Sequence, residues 1–83
     1  MIHPIEQFAI NAVTDLRKQR NLKQSDLAEV LNTVPSFISN VEISSHPAKY
    51  NLAHLHSLSS FFRVSPRDFL PDKAVGVNSE SEL

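Results

Sequence analysis

Apolar residues recur at helical spacing from the start of the chain, and this periodicity narrows the choice of fold more than any other feature. In the first segment they stand at Ile5, Phe8, Ala12 and Leu16, with Ala9 and Val13 widening the stripe. Strands would leave alternating runs of Val, Ile and Thr between glycine-rich turns, but the 83 residues hold one glycine and no such run. The sequence therefore predicts an all-α fold class, a compact five-helix bundle.

Residues that begin or end helices divide the chain into five short segments. The predicted helices run from Pro4 to about Arg20, from about Gln24 to Leu31, from Pro35 to about Ile43, through Leu52, Leu55, Leu58 and one of Phe61 and Phe62, and from Pro66 to about Leu70. Asn21 and Asn32 follow the first two helices, where asparagine tolerates a left-handed backbone. Asn51 and Ser65 are suited to cap the last two helices.

A chain of this length has room for one domain and buries a comparatively small core. Residues 1–71 are expected to form that domain, a helix-turn-helix unit. Residues 72–83 are expected to form a disordered C-terminal tail, because the apolar content falls after Pro71. A deep, enclosed active site is not expected in so small a bundle.

Composition excludes several classes of protein. Without cysteine there is no disulfide framework and no thiolate zinc site. No apolar run approaches the ~20 residues of a membrane span, and no basic-then-apolar leader opens the chain, so we expect a cytoplasmic protein without membrane contact.

The histidines and serines of the sequence do not have the spacing of a metal site or a catalytic site. His54 and His56 diverge on a helix because they stand two residues apart, and His3 and His46 lie in terminal and loop segments. No serine stands in a sharp glycine-flanked turn. We therefore expect no metal, no cofactor and no enzymatic activity.

The net charge of −1 conceals a basic first part of the chain. Residues 1–73 contain eight Lys and Arg against seven Asp and Glu, which leaves +1. Four cations lie close together at Arg17, Lys18, Arg20 and Lys23. Such a cluster suits a nucleic-acid contact, but it equally suits the solvated C-terminal end of a helix, where cations are favoured.

The segment Gln24–Ile43 has the pattern of two short helices that meet at a steep angle. Ala28 is small enough for close approach of the two backbones, and Asn32 accepts the positive φ of a tight turn. Ile38 and Val41 point inward at a spacing of three. The opposite face, with Ser36, Phe37, Ser39 and Asn40, is then expected to be exposed.

From about Leu16 to Leu70 the chain resembles the phage repressor and Cro family of helix-turn-helix proteins, also called the XRE family. The matching motifs, in chain order, are Leu16-Arg17-x-x-Arg20, Leu22-x-Gln24, Leu27-Ala28, Leu31, Ile38-Ser39, Val41-Glu42 and Val64-Ser65-Pro66-x-Asp68-Phe69-Leu70. The resemblance covers some two-thirds of the chain and implies a lambda repressor-like bundle with a central helix-turn-helix.

The resemblance also implies roles for individual residues. The helix beginning at Pro35 lies in the DNA major groove and offers base contacts from Ser36, Phe37 and Asn40, with Asn40 suited to pair bidentately with adenine. Phosphate contacts are expected from Lys23, Gln24, Ser39, Ser45, His46 and Lys49. Arg17 and Glu42 match a pair that joins the first helix to the third as a structural ion pair.

Three classes of function follow, in order of support. The first is a sequence-specific DNA-binding transcriptional regulator, most specifically a repressor, acting as a homodimer on a two-fold symmetric operator in double-stranded DNA. The second is a protein-interaction module, such as an antitoxin-like or adaptor protein, which the weak basic balance favours. The third, a small enzyme, has no supporting set of residues.

Overall fold

The computed structural model describes residues 2–76, and within that range it is compact and all-helical, with no strand. The α-helices are α1 (Pro4–Gln19), α2 (Gln24–Val30), α3 (Pro35–Glu42) and α4 (Leu52–Phe62). A fifth helix was predicted, but Pro66–Phe69 forms a single 3-10 turn instead. Four residues, with Leu70 already extended, are too few to propagate an α-helix. None of the helices in this range is long and apolar enough to cross a membrane.

Side chains of the preceding residues hold two of the helix starts. The His3 Nδ1 atom accepts a hydrogen bond from the Ile5 N–H at 3.1 Å. Asn51 Oδ1 accepts from the His54 N–H at 2.7 Å, and His54 Nδ1 accepts in return from the Asn51 N–H at 3.1 Å. The predicted cap at Asn51 is therefore confirmed, and His54 completes it in the place that Glu or Gln commonly takes.

Three helices end through a residue with a left-handed backbone. The predicted positions Asn21 (φ 56°) and Asn32 (φ 54°) are confirmed, and Arg63 (φ 61°) ends α4 in the same way. At each position the following N–H bonds to a carbonyl five residues back, as when Thr33 N–H donates to the Ala28 carbonyl at 2.9 Å. These turns reverse the chain without glycine.

One apolar core joins all the helices. Its buried members are Ala9, Ile10, Val13, Leu27, Ala28, Ile38, Val41, Tyr50, Leu55, Leu58, Phe62 and Phe69. The inward stripe of α1 is centred on Ala9, Ile10 and Val13, so Ile5 and Phe8, predicted to lead it, lie at its exposed edge. Of the two adjacent phenylalanines, Phe62 is buried and Phe61 is exposed.

Leu52 was predicted to face the core, but its side chain is 79% exposed. It is the first residue of α4, beyond the part of the helix that packs on α2 and the 3-10 turn. Further on, the segment that follows the 3-10 turn returns to α1, since a Cβ atom on Gly76 (φ 72°) would overlap the ring of Pro4. The rest of the predicted tail, residues 77–83, lies outside the described residues.

Candidate nucleic-acid interface

Helices α2 and α3 and the four residues between them form the frame of the site. They make the most extensive helix–helix contact among the described residues. Ala28 is buried at their contact, and its carbonyl accepts the hydrogen bond that closes the turn after Asn32. Pro35 begins α3, where its missing N–H costs no hydrogen bond. The two helices therefore meet through a short turn that backbone hydrogen bonds close.

Helix α3 divides into an inner and an outer side. Ile38 and Val41 are buried in the core, as predicted. Ser36 is exposed, and Ser39 and Asn40 are half-buried. The Ser39 hydroxyl donates to the carbonyl oxygen of Ser36 at 3.0 Å, so it is held by its own helix. The outer side thus offers a short polar surface, with the Asn40 amide as its planar donor–acceptor group.

An ion pair ties the end of α3 to α1. Arg17 Nε donates to Glu42 Oε2 and Arg17 Nη2 donates to Glu42 Oε1, both at 2.8 Å. Arg17 Nη1 also donates to the carbonyl oxygen of Leu22 at 2.8 Å. The side chains of Arg17 and Glu42 are only 12% and 9% exposed. The pair that the sequence predicted is therefore present, in the parallel two-bond geometry that favours arginine with carboxylate.

Gln24 joins this network. Its Nε2 atom donates to Glu42 Oε1 at 2.9 Å, and its side chain is half-buried. The resemblance implied that this amide meets a DNA phosphate, and that contact stays a prediction, since the bond to Glu42 uses one of the two N–H groups of the amide. Glu42 thus gathers hydrogen bonds from α1 and α2, and it fixes the end of α3 against both.

The ionisation of Glu42 reflects two opposing effects. Burial pushes the pKa of its carboxyl group upward, but hydrogen bonds from Arg17 and Gln24 outweigh burial and bring the pKa below its ordinary value. The charge of Arg17 acts in the same direction. Glu42 therefore stays ionised in neutral solution, as its acceptor role requires.

Phe37 is not free on the outer side of α3, as the sequence analysis expected. Its ring is half-buried and packs against two aromatic side chains that follow α3 in the chain. The ring centroids lie 6.1 Å from Tyr50, edge to face, and 5.3 Å from His54. Tyr50 and His54 in turn meet edge to face at 6.1 Å. This aromatic cluster fastens α3 to the start of α4.

The pKa values of two members of the aromatic cluster, Tyr50 and His54, are shifted. Burial raises the pKa of the Tyr50 phenol, and the negative charge of Glu42 raises it further, so the hydroxyl stays protonated. That buried hydroxyl has no hydrogen-bond partner among residues 2–76. Burial lowers the pKa of His54. Its neutral imidazole suits the hydrogen bond that Nδ1 accepts from the Asn51 N–H.

Two members of the basic cluster that the sequence suggested make hydrogen bonds within the protein. Besides Arg17, Arg20 donates from Nη2 to the carbonyl oxygen of Phe62 at 3.0 Å, and its guanidinium lies 5.5 Å from the centre of the Phe62 ring. Lys18 and Lys23 are exposed. Lys23 precedes α2, and its side chain makes no capping hydrogen bond because an ammonium group has no acceptor. Asp26 accepts from the Lys23 backbone N–H at 2.7 Å.

The remaining predicted phosphate contacts lie in the loop between α3 and α4. Ser45 and His46 are exposed, and His46 Nδ1 accepts from the Ala48 N–H at 3.0 Å. Lys49 is exposed but pairs with Glu6 of α1, Nζ to Oε2 at 2.6 Å. That hydrogen bond from Lys49 is the main cause of a lowered pKa at Glu6. The Lys49 charge is therefore directed to α1.

Sequence reasoning missed Tyr50 and His54 as residues that position α3. Tyr50 lies in a segment that looks like a polar loop by composition, and its burial depends on the fold of that loop over α3. The one available signal was the single tyrosine of the chain just before a helix cap.

Comparisons with protein-family models, with curated proteins and with solved structures find no match.

Proposed function

We propose that this chain is a sequence-specific DNA-binding transcriptional regulator, a repressor, with a lambda repressor-like helix-turn-helix domain. In this proposal α3 lies in the major groove and the protein acts in the cytoplasm as a homodimer on a two-fold symmetric operator. The observation that carries it is the division of α3. Ile38, Val41 and Glu42 hold the helix from inside, while Ser36, Ser39 and Asn40 stand on the other side.

The size of α3 supports a groove contact. An α-helix with its side chains is about 10–12 Å wide, which matches the roughly 12 Å width of the B-DNA major groove. Asn40 carries one amide donor and one acceptor side by side, the arrangement that recognises the N6 and N7 atoms of adenine. Ser36 adds a hydroxyl that donates to or accepts from either base type. The short polar side of α3 is therefore suited to read a few base pairs.

Few of the predicted phosphate contacts carry a charge, and this sets a quantitative expectation. Among the predicted phosphate contacts Lys23 and Lys49 carry full charges, and Lys49 is paired with Glu6. Each phosphate neutralised contributes about −0.9 to the slope of log K against log salt. We therefore expect a slope of about −1 to −2 for each protomer.

The test is fluorescence anisotropy with labelled duplex DNA from immediately upstream of the gene, at two salt concentrations, followed by selection from a randomised duplex pool. Saturable binding that resists random competitor and weakens with salt is the expected result. Failure of both DNA sources to bind at low salt would overturn the proposal. It would favour the protein-interaction class.

Asn40→Ala gives the sharper test. We expect it to cost roughly 1–3 kcal/mol at the cognate site and to leave non-specific binding nearly unchanged. Asn11→Ala is the matched control, because Asn11 is an exposed asparagine on α1. Equal losses on cognate and random DNA would show that Asn40 does not read a base.

A further inference from the structure

Three large apolar side chains lie exposed around one groove. They are Ile5 (40% exposed) at the start of α1, Leu52 (79%) at the start of α4, and Leu70 (39%) after the 3-10 turn. Glu6 and Lys49 complete the rim of a groove of about 550 Å³. These five residues are called the Leu52 surface below. Burying exposed leucine and isoleucine side chains is favourable, so this surface gains from an apolar occupant.

The rim charges point to a particular occupant. Glu6 contributes one negative charge and Lys49 one positive charge, and Lys49 Nζ lies 2.6 Å from Glu6 Oε2. A two-fold axis brings a surface against its own copy, so a rim with both signs can pair with itself without repulsion. A strongly acidic or basic partner would gain no net attraction from this rim.

A second apolar surface, around Phe61, has the opposite character. Phe61 is exposed beside Leu22 and Val30, and the charged groups that line the same depression are Asp26 and Glu29. Self-association there would bring four carboxylates together, because each copy contributes two. Like charges in contact oppose association, so charge favours the Leu52 surface over the Phe61 surface for a second copy of this chain.

We infer that the Leu52 surface is the two-fold interface between two copies of this chain. Leu52 of each copy enters the groove of the other, and Glu6 of each copy faces Lys49 of the other. That interface belongs to the homodimer of the proposed function, but the apolar exposure and the rim charges that point to it do not depend on DNA binding. Three apolar residues on each side form a small interface, so the dimer in free solution is weak, with a Kd of about 1–100 µM.

The test is sedimentation equilibrium of the full chain without DNA, over concentrations that span this Kd range. We expect the wild type to show a monomer–dimer equilibrium and Leu52→Lys to weaken it at least tenfold. Phe61→Lys is the matched control and should dimerise like the wild type. Leu52→Lys leaves the core untouched, and circular dichroism verifies its fold. A Leu52→Lys variant that dimerises normally, or a Phe61→Lys variant that does not dimerise, would overturn the inference.

Mixing charge variants separates contacts between copies from contacts within one copy. Glu6→Lys and Lys49→Glu should each weaken the dimer, and an equimolar mixture should recover it, because opposite charges then meet across the axis. No recovery on mixing would show that these charges act within one copy and would overturn the two-fold arrangement. A wild type that stays monomeric while an apolar dye fills the groove would assign it to a small ligand instead.

The two proposals fail separately. A dimer that depends on Leu52 but binds no DNA would overturn the proposed function and leave the interface standing. DNA binding by independent monomers, with no loss in Leu52→Lys, would overturn the interface and leave the proposed function standing.

Discussion

Glu42 is the residue whose loss should most disturb the position of α3. Its two carboxylate oxygens accept hydrogen bonds from Arg17 Nε and Nη2 at 2.8 Å and from Gln24 Nε2 at 2.9 Å. The substitution Glu42→Ala removes all three acceptor contacts at once. It leaves the Arg17 guanidinium, on a side chain 12% exposed, with the carbonyl oxygen of Leu22 as its remaining acceptor.

The size of the effect follows from this burial. Breaking a buried ion pair by removing one partner typically costs about 3–5 kcal/mol. Arg17 keeps one carbonyl acceptor and some contact with water, so we expect Glu42→Ala to lower the free energy of unfolding by about 2–4 kcal/mol. For a domain of this size about 4–8 °C is lost per kcal/mol, which predicts a fall in Tm of about 8–30 °C.

The dependence on pH adds an independent check. The pKa of Glu42 in the folded protein lies below its ordinary value of 4.5. A depressed carboxyl pKa stabilises the fold fully above the unfolded value and loses this contribution as the pH falls through the folded value. The stability difference between wild type and Glu42→Ala should therefore be constant at neutral pH and shrink below a pH of about 4.5.

Thermal and urea unfolding, followed by circular dichroism, measure these differences. The matched control is Glu29→Ala, since Glu29 is an exposed glutamate on α2. A double-mutant cycle with Arg17→Ala isolates the pair, with a coupling energy of about 1–3 kcal/mol. If Glu42→Ala melts with the wild type, or if the cycle gives no coupling, the ion pair does not hold α3 and the reasoning is refuted.

Two further predictions concern the aromatic cluster. Burial lowers the pKa of His54, and its neutral Nδ1 accepts from the Asn51 N–H. The neutral imidazole therefore stabilises the fold fully above pH ~6.5, and this contribution is lost as the pH falls. The Tm of the wild type should therefore drop between pH ~7.5 and ~5.5, and an equally large drop in His54→Gln would contradict this origin. Phe37→Ala should lower stability by about 1–3 kcal/mol, since its half-buried ring packs on Tyr50 and His54. The exposed Phe61→Ala should cost less, and equal melting curves for the two variants would show that Phe37 is a surface group.

Local backbone chemistry explains which turns could be predicted. Asn21 and Asn32 were expected to be left-handed because asparagine tolerates that conformation, and both have a positive φ. Arg63 adopts the same conformation with no local preference for it. It is held by the hydrogen bonds that close α4, including the one from the Val64 N–H to the Ser59 carbonyl at 3.0 Å. Backbone hydrogen bonds of this kind do not depend on the residue type, so composition does not reveal them.

In the candidate site too, positions set by the spacing within one helix could be predicted, whereas positions set by contacts distant in the chain could not. Spacing alone placed Ile38 and Val41 inside, because both lie on one side of a single helix. Spacing also placed Phe37 outside, which was wrong, because a loop more than ten residues away folds Tyr50 back over it. The phosphate contact expected of Gln24 stays a prediction, and spacing gave no sign that its amide also donates to Glu42.

The division of α3 also bears on how such a domain can change in evolution. Ile38, Val41 and Glu42 fix the helix, and none of them belongs to the outer side. Substitutions at exposed positions such as Ser36 usually change stability by less than about 0.5 kcal/mol. New side chains on the outer side of α3 can therefore accumulate while the fold is preserved. The domain is a natural scaffold onto which the outer residues of another helix can be grafted.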